Sequence, residues 1–233
     1  MPRVLLLCLL LAGQPVPARR LAELVWDAAE PDGWQVTLRS HVYHLRRALK
    51  SVSSADGPGV LVTERVGTTA CYALRIPPES IDVVRFERLV AAGRIALDAA
   101  DHPAAAALLA DALALWRGQP LADVAGRSFA VPEVRRLESL HRFARTARIE
   151  ADIALGRHRE VIGDLEGMLA RWPTDDLLRR LLVGCLCRAG RYSDAARACR
   201  DGIELALAHG LDVTSLEALQ RDVLLAALPS APV

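Results

Sequence analysis

Helical patterns fill the sequence from Ile81 almost to its end, with very little strand signal. Gly and Pro residues separate the predicted helices, which span 81–100, 103–117, 131–155, 158–171, 175–189, 192–209 and 213–228. The pairs Gly156-Arg157 and Gly190-Arg191 each end one helix and precede another, and they recur 34 residues apart. Helix pairs that repeat at this spacing bury their apolar faces by stacking on one another. We therefore predict a helical repeat domain, with an irregular bundle as the alternative.

Basic residues are concentrated towards the N-terminus. Residues 1–75 contain nine Lys or Arg side chains against six Asp or Glu, a net charge of +3, whereas the rest of the chain carries −2. This distribution suits a nucleic-acid-binding segment joined to a segment that contacts proteins. An asymmetry this small also arises by chance, so the charge supports nucleic-acid binding only together with the pattern described next.

Residues 4–76 show the element order of a winged helix. Three helices are predicted, followed by two strands joined at Gly67-Thr68-Thr69; they span Val4–Ala12, Pro17–Trp26, Trp34–Lys50, 60–66 and 71–76. Gly13 ends the first helix, and Asp32 with Gln35 forms a predicted capping box at the start of the third.

The third predicted helix has the features of a recognition helix. Leu38, Val42, Leu45 and Leu49 form one apolar stripe, and no acidic residue lies between Trp34 and Lys50. A basic face opposite such a stripe is free to enter the major groove and neutralise phosphates. The predicted DNA-binding residues, one of them in the hairpin, are Arg39, Ser40, Tyr43, His44, Arg46, Arg47, Lys50 and Arg65. A merely solvated cationic helix is the alternative.

These residues resemble a known family. The runs LLLCLLLAGQPVPARRLAELVW, VTLRSHVYHLRRALK and LVTERVGTTACYALRI resemble the OmpR-type winged helix of Streptomyces antibiotic regulatory proteins (SARPs). The runs IDVVRFERLVAAGRIAL, ALALWRGQPLADV and ALGRH resemble the bacterial transcriptional activator domain of the same family. The resemblance implies a transcriptional activator that binds repeated promoter sequences and contacts RNA polymerase. A helical-repeat interaction protein with vestigial DNA binding is the alternative.

The predicted fold is mainly α: a winged helix-turn-helix followed by an all-α tetratricopeptide-like helical repeat domain. We place the winged helix at residues 1–77, the helical repeat domain at 78–228 and a tail at 229–233. We expect the four-stranded sheet that opens OmpR-type domains to be lacking here, which would shorten the winged helix at its N-terminus. We also expect the hairpin turn, Gly67–Ala70, to be a few residues longer than is usual in the family.

The first predicted helix needs a cover because it is apolar on every side. We expect Leu5, Leu6, Leu9 and Leu10 to dock against the helical domain or against a second copy in a homodimer. Without such a cover, residues 1–75 would be less stable than 81–228.

The first eighteen residues also imitate a secretory signal, with a short apolar run and small residues at Val16 and Ala18. The run is too short to span a membrane. We expect instead a cytoplasmic protein that keeps this segment as a folded helix. A secreted helical protein with a cleaved signal is the alternative.

No catalytic, nucleotide-binding or metal-binding motif is present in the sequence, so we expect neither an enzyme nor a cofactor. The five cysteines have no disulfide or zinc spacing and are expected to be small core residues. His41 and His44 lie three residues apart on one predicted helix, a spacing that would permit a shared metal ion. Because arginines surround them, we expect phosphate contacts or solvent exposure instead.

Overall fold

Helices dominate the computed structural model, which describes residues 1–27, 29–50 and 60–227. Two units are distinguished by their internal contacts. The first contains Met1–Arg88 and Ala112–Phe143, and the second contains Leu89–Asp111 and the described residues from Ala144 onward. Within the described ranges, none of the helices is both long and apolar enough to cross a membrane. The predicted tail, residues 229–233, lies outside the described residues.

Three helices and three short strands form the N-terminal part of the first unit. They are α1 (Pro2–Ala12), β1 (Val16–Pro17), α2 (Ala18–Trp26), α3 (Trp34–Leu49), β2 (Leu61–Val66) and β3 (Thr69–Leu74). The remaining α-helices are α4 (Asp82–Asp98), α5 (His102–Ala114), α6 (Val131–Ala154), α7 (Ile162–Arg171), α8 (Asp176–Arg188), α9 (Tyr192–Ala208) and α10 (Thr214–Ala226). The predicted mainly α architecture, a winged helix followed by helical repeats, is confirmed.

The core of the winged helix is built from the apolar faces of α1, α2 and α3. Its buried members include Leu5 and Leu9 of α1, Leu21 and Val25 of α2, and the stripe Leu38, Val42 and Leu45 of α3. Gly13 ends α1 in a left-handed conformation, with φ 61°, and its N–H donates to the Leu9 carbonyl oxygen. Glycine adopts this conformation without steric cost, so the chain turns here towards β1 and α2.

The sheet corrects two expectations about the wing. Its strand order is β1-β3-β2. The sequence did not predict β1, whose Val16 pairs with Tyr72 of β3 in the hairpin, or wing, formed by β2 and β3. The expected longer turn is wrong, because Val66 pairs with Thr69 and leaves only Gly67 and Thr68 in the turn. Gly67 has φ 62°, as a tight two-residue hairpin turn requires.

The predicted capping box at the start of α3 is also wrong. The N-cap is Gly33, which has φ 70° and no side chain to accept a hydrogen bond. Its carbonyl oxygen accepts from the N–H groups of Val36 and Thr37. The left-handed turn at Gly33 starts the helix one residue later than the capping box requires.

The helical repeats follow one burial pattern three times. The second helix begins at His102 in the first pair, at Tyr192 in the third pair, and four residues after His158 in the second. The residues three and four positions after His102, His158 and Tyr192 are buried in every case: Ala105 and Ala106, Val161 and Ile162, Ala195 and Ala196. The residue seven positions later is also fully buried each time: Leu109, Leu165 and Cys199. The pairs α4–α5, α6–α7 and α8–α9 are therefore structural repeats, and α10 packs on the last pair.

The turn inside each pair is closed by the same hydrogen bond. The residue after the left-handed position donates to the carbonyl five residues back, as in Asp101 to Ala96, Arg157 to Asp152 and Arg191 to Leu186. Glycine occupies the left-handed position in the second and third pairs, but Ala100 occupies it in the first, with φ 57°.

We expect Ala100→Gly to stabilise the second unit. Alanine pays a steric cost in the left-handed region that glycine avoids, although glycine also makes the unfolded chain more flexible. The net gain in the free energy of unfolding should be about 0.5–1 kcal/mol, measured by urea denaturation. Gly190→Ala is the matched control and should lower stability; a loss of stability in Ala100→Gly would contradict this account of the turn.

An insertion separates the first repeat from the second. His158 follows His102 by 56 residues and Tyr192 follows His158 by 34, so the first interval is 22 residues longer. The extra residues, which lie between α5 and α6, carry apolar side chains into the winged-helix core: Leu121, Val124, Phe129 and Ala130. Arg127 Nη1 donates to the Val25 carbonyl oxygen at 2.9 Å. The expected docking of α1 against residues of the predicted helical domain is thus observed for Leu5 and Leu9, which are buried, and for Leu6, which is partly buried, in one cluster with Val124 and Ala130. Leu10, the fourth leucine that was expected to dock, is only partly buried.

Candidate nucleic-acid interface

The exposed face of α3 carries most of the predicted DNA-binding residues. Since Leu38, Val42 and Leu45 hold the opposite face in the core, the helix can rotate little and this face is fixed outward. The exposed predicted residues on α3 and just after it are Arg39, Ser40, Tyr43, His44, Arg47 and Lys50. Tyr43 is 64% exposed, and its ring lies edge-on to that of His44, with 5.6 Å between centroids.

Arg46 has a different environment from the other basic residues of α3. It is half-buried, and its Nε donates to the Leu61 carbonyl oxygen at 3.0 Å. Its Nη2 donates to Thr63 Oγ1 at 2.7 Å. Both acceptors belong to β2, so this guanidinium connects α3 to the wing.

The wing presents Arg65 beside this connection. Alternate residues of a strand share a face, so Arg65 lies on the face of β2 that also carries Thr63. It is exposed, two residues from the turn. The neighbouring acid, Glu64, accepts a hydrogen bond from Arg75 Nε at 2.9 Å. The Glu64 charge is therefore compensated within the hairpin, and the positive charge of Arg65 is presented to solvent.

His41 does not share the exposed face. It is half-buried, and its ring centroid lies 6.1 Å from that of Trp26. Partial burial lowers the pKa of His41, and the N-terminal amine and His44 lower it further. A neutral ring is a poor phosphate contact, which argues against that interpretation of His41. The described residues also contain no group of three or more His, Cys, Asp or Glu side chains able to hold a metal ion.

The cysteines pack as core residues. Cys8, Cys71, Cys185 and Cys199 are buried, Cys187 is half-buried, and all five are free thiols. Burial is the main cause that raises the pKa of Cys8 and of Cys199 to about 11. Neutral buried thiols are poor nucleophiles and poor metal ligands, so their surroundings favour a packing role.

Comparison with known proteins places this geometry in a family. The bacterial transcriptional activator domain matches residues 81–224. Regulatory protein DnrI of Streptomyces peucetius is 34% identical over 200 residues, which cover 84% of this chain and 72% of DnrI. The chain belongs to the SARP-type transcriptional regulators. It is similar to AfsR of Streptomyces coelicolor as well, at 32% identity over 98% of this chain but only 23% of AfsR.

A solved structure extends the similarity to the fold of this SARP-type chain. The structure of EmbR from Mycobacterium tuberculosis, in complex with a low-affinity phosphopeptide, superposes with a TM-score of 0.78 at 29% identity. The alignment covers 99% of this chain and 61% of EmbR. The family match and the regulators found among the relatives confirm the predicted function, a DNA-binding transcriptional regulator of the activator class. The relatives are regulators and not enzymes. The predicted domain boundary at 77–78 stays a prediction.

One residue on the exposed face of α3 escaped the sequence analysis. Val36, in the first turn of α3, is 70% exposed. Its spacing from Arg39, Ser40 and Tyr43, at three, four and seven residues, places all four on one side of the helix. This spacing was the available signal, but valine has no charge or hydrogen-bonding group that would mark it as a phosphate contact.

Proposed function

We propose that this chain binds double-stranded promoter DNA by inserting α3 into the major groove while the hairpin contacts the adjacent backbone. The observation that carries the proposal is the fixed outward face of α3, which is basic and free of acidic residues. Its apolar stripe anchors it in the core, and Arg46 sets its position relative to the wing.

The proposed roles follow from position along the helix. Residues near the start of a recognition helix contact base edges, so Arg39 and Ser40 contact bases. Arg47 and Lys50 lie near its end and neutralise phosphates, as does Arg65 on the wing. Tyr43 and His44 lie between these base-contacting and phosphate-contacting residues, and they donate hydrogen bonds either to a base or to a phosphate. Arg39 is suited to guanine, because its guanidinium can donate to O6 and N7 together.

The wider function follows from membership of the SARP family. Repeated promoter sequences would place several copies side by side, and the helical repeats would present a surface to RNA polymerase. The chain would then act in the cytoplasm, where the chromosome lies. Regulatory protein DnrI, AfsR and Transcriptional regulator RedD are similar proteins, and the chain spans 72%, 23% and 53% of their respective lengths.

Arg47→Ala should weaken binding to every DNA sequence. Losing one phosphate contact should flatten the plot of log affinity against log salt concentration by roughly one unit. Arg39→Ala should in addition relax sequence preference at one base pair, worth about 1–3 kcal/mol of discrimination. Fluorescence anisotropy on random-sequence duplexes and on duplexes selected by the wild-type protein measures both effects.

Arg94→Ala is the matched control, since it removes one exposed positive charge from α4 and should leave the slope unchanged. Equal affinity and equal slope for wild type, Arg39→Ala and Arg47→Ala at low salt would contradict binding through α3. Absence of DNA binding by the wild-type chain would favour the helical-repeat interaction protein instead.

A further inference from the structure

Val36 is the most exposed large apolar side chain of α3, and it occupies the part of the helix where base contacts are expected. It lies in the first turn, and Arg39 and Ser40 follow it within one helical turn on the same face. Arg47 lies eleven residues further on, about 16 Å along the axis at the α-helical rise. Val36 is therefore well separated from the proposed phosphate contacts near the end of α3.

The environment of Val36 supplies no packing reason for an apolar side chain. It is 70% exposed, whereas the apolar stripe of α3 is buried on the opposite face. Single exposed apolar residues are common on protein surfaces, so exposure alone decides nothing. What distinguishes Val36 is its position: burying it on DNA requires an apolar partner at the floor of the major groove.

The major groove offers one such partner. Thymine carries a C5-methyl group there, and apolar side chains recognise it by direct contact. The other base edges in that groove present hydrogen-bond donors and acceptors, which the isopropyl group of valine cannot satisfy. A valine beside Arg39 and Ser40 thus favours a thymine next to the bases that those two residues contact.

We infer that Val36 is a specificity-determining residue that contacts the methyl group of a thymine in the operator. This inference rests on the proposed binding of α3 in the major groove. Burying one methyl group is worth about fourfold in affinity, so Val36 adjusts sequence preference and contributes little to overall binding.

The test begins with selection of duplexes from a random-sequence DNA pool by wild type and by Val36→Ala in parallel. Wild type should enrich thymine at one position of the site, and Val36→Ala should lose that preference and keep the others. The thymine is then replaced by deoxyuridine, which lacks only the methyl group, in the duplex selected by wild type. Wild-type affinity should fall about fourfold, and Val36→Ala should bind both duplexes equally.

The control variant is Ile95→Ala, because Ile95 is 69% exposed on α4, outside the winged helix. It should select the same sites as wild type and discriminate against deoxyuridine equally well. Circular dichroism should show Val36→Ala folded, since alanine favours the helix and little packing is lost.

Three results separate this inference from the proposed function. If wild type selects a site without a preferred thymine, or if Val36→Ala selects the same site as wild type, the inference fails while DNA binding stands. Equal wild-type affinity for thymine and deoxyuridine duplexes overturns it as well. If wild type enriches no sequence and binds no duplex, the proposed function fails, and the inference fails with it.

Discussion

Replacing Gly202 by alanine is expected to lower the free energy of unfolding of the second unit by about 2–4 kcal/mol. A Cβ at this buried position of α9 would overlap Arg179 Cδ and lie 2.5 Å from its Nε. Arg179 cannot move away freely: it is 8% exposed, and its guanidinium donates to the carbonyl oxygens of Ala198 and Pro173 at 2.9 and 2.8 Å. The added methyl group must either displace a buried charge from its acceptors or push α8 and α9 apart.

Gly184→Ala is the matched control, one helix earlier in α8. Apart from the neighbouring backbone of α8 itself, no described atom lies within 4 Å of the Cβ that this substitution adds, and the residue is exposed. Because alanine has the higher helix propensity, stability should rise by about 0.5–1 kcal/mol. Urea denaturation followed by circular dichroism measures both variants. If both gain stability equally, Arg179 yields without cost and our description of it as tightly held is wrong.

Arg46→Ala should reduce DNA affinity by about tenfold or more without changing the salt dependence of binding. The substitution removes the charged donor to Leu61 and Thr63, so α3 and the wing lose their fixed separation. Hydrogen bonds from charged groups contribute about 1.5–3 kcal/mol, and a similar loss in the stability of the first unit should accompany the change. Anisotropy titrations at several salt concentrations, with parallel thermal unfolding, measure both quantities.

Arg47→Ala provides the comparison, because Arg47 is exposed on the neighbouring position of the same helix. Its loss should flatten the salt dependence and leave stability nearly unchanged. Should Arg46→Ala also flatten the salt dependence by one unit and unfold like wild type, Arg46 contacts phosphate, as the sequence analysis expected, and does not hold the wing.

The helices and the hairpin were predictable because each is marked by a local pattern. The stripe from Leu38 to Leu45 defines α3 and its inward face without knowledge of its neighbours. The N-cap of α3 was predicted wrongly because aspartate is a common capping residue, which favoured Asp32. The helix actually starts after Gly33, whose φ is positive. The two-residue strand β1 has no alternation to detect; it exists because β3 lies beside it.

Contacts between distant residues account for the rest. Arg46 and Arg47 cannot be distinguished by their local sequence. Only the position of β2, which begins fifteen residues after Arg46, lets Arg46 connect α3 to the wing while Arg47 stays exposed. The contact of Arg127 with Val25 joins residues 102 apart. The sequence pattern around one residue of such a pair does not indicate its partner, so these contacts can be recognised only once the first unit is folded.

The insertion between the first two repeats has a consequence for building chimeric regulators. A natural choice would be to cut near residue 77 and exchange the DNA-binding head between related proteins. Such a cut would separate Leu5, Leu9 and Val25 from the residues that cover them, Val124 and Ala130 among them. The exchangeable unit is therefore discontinuous: residues 1–88 must be transferred together with residues 112–143, and the new junctions fall within α4, α5 and α6. Specificity can thus be transplanted intact only with this second piece of chain.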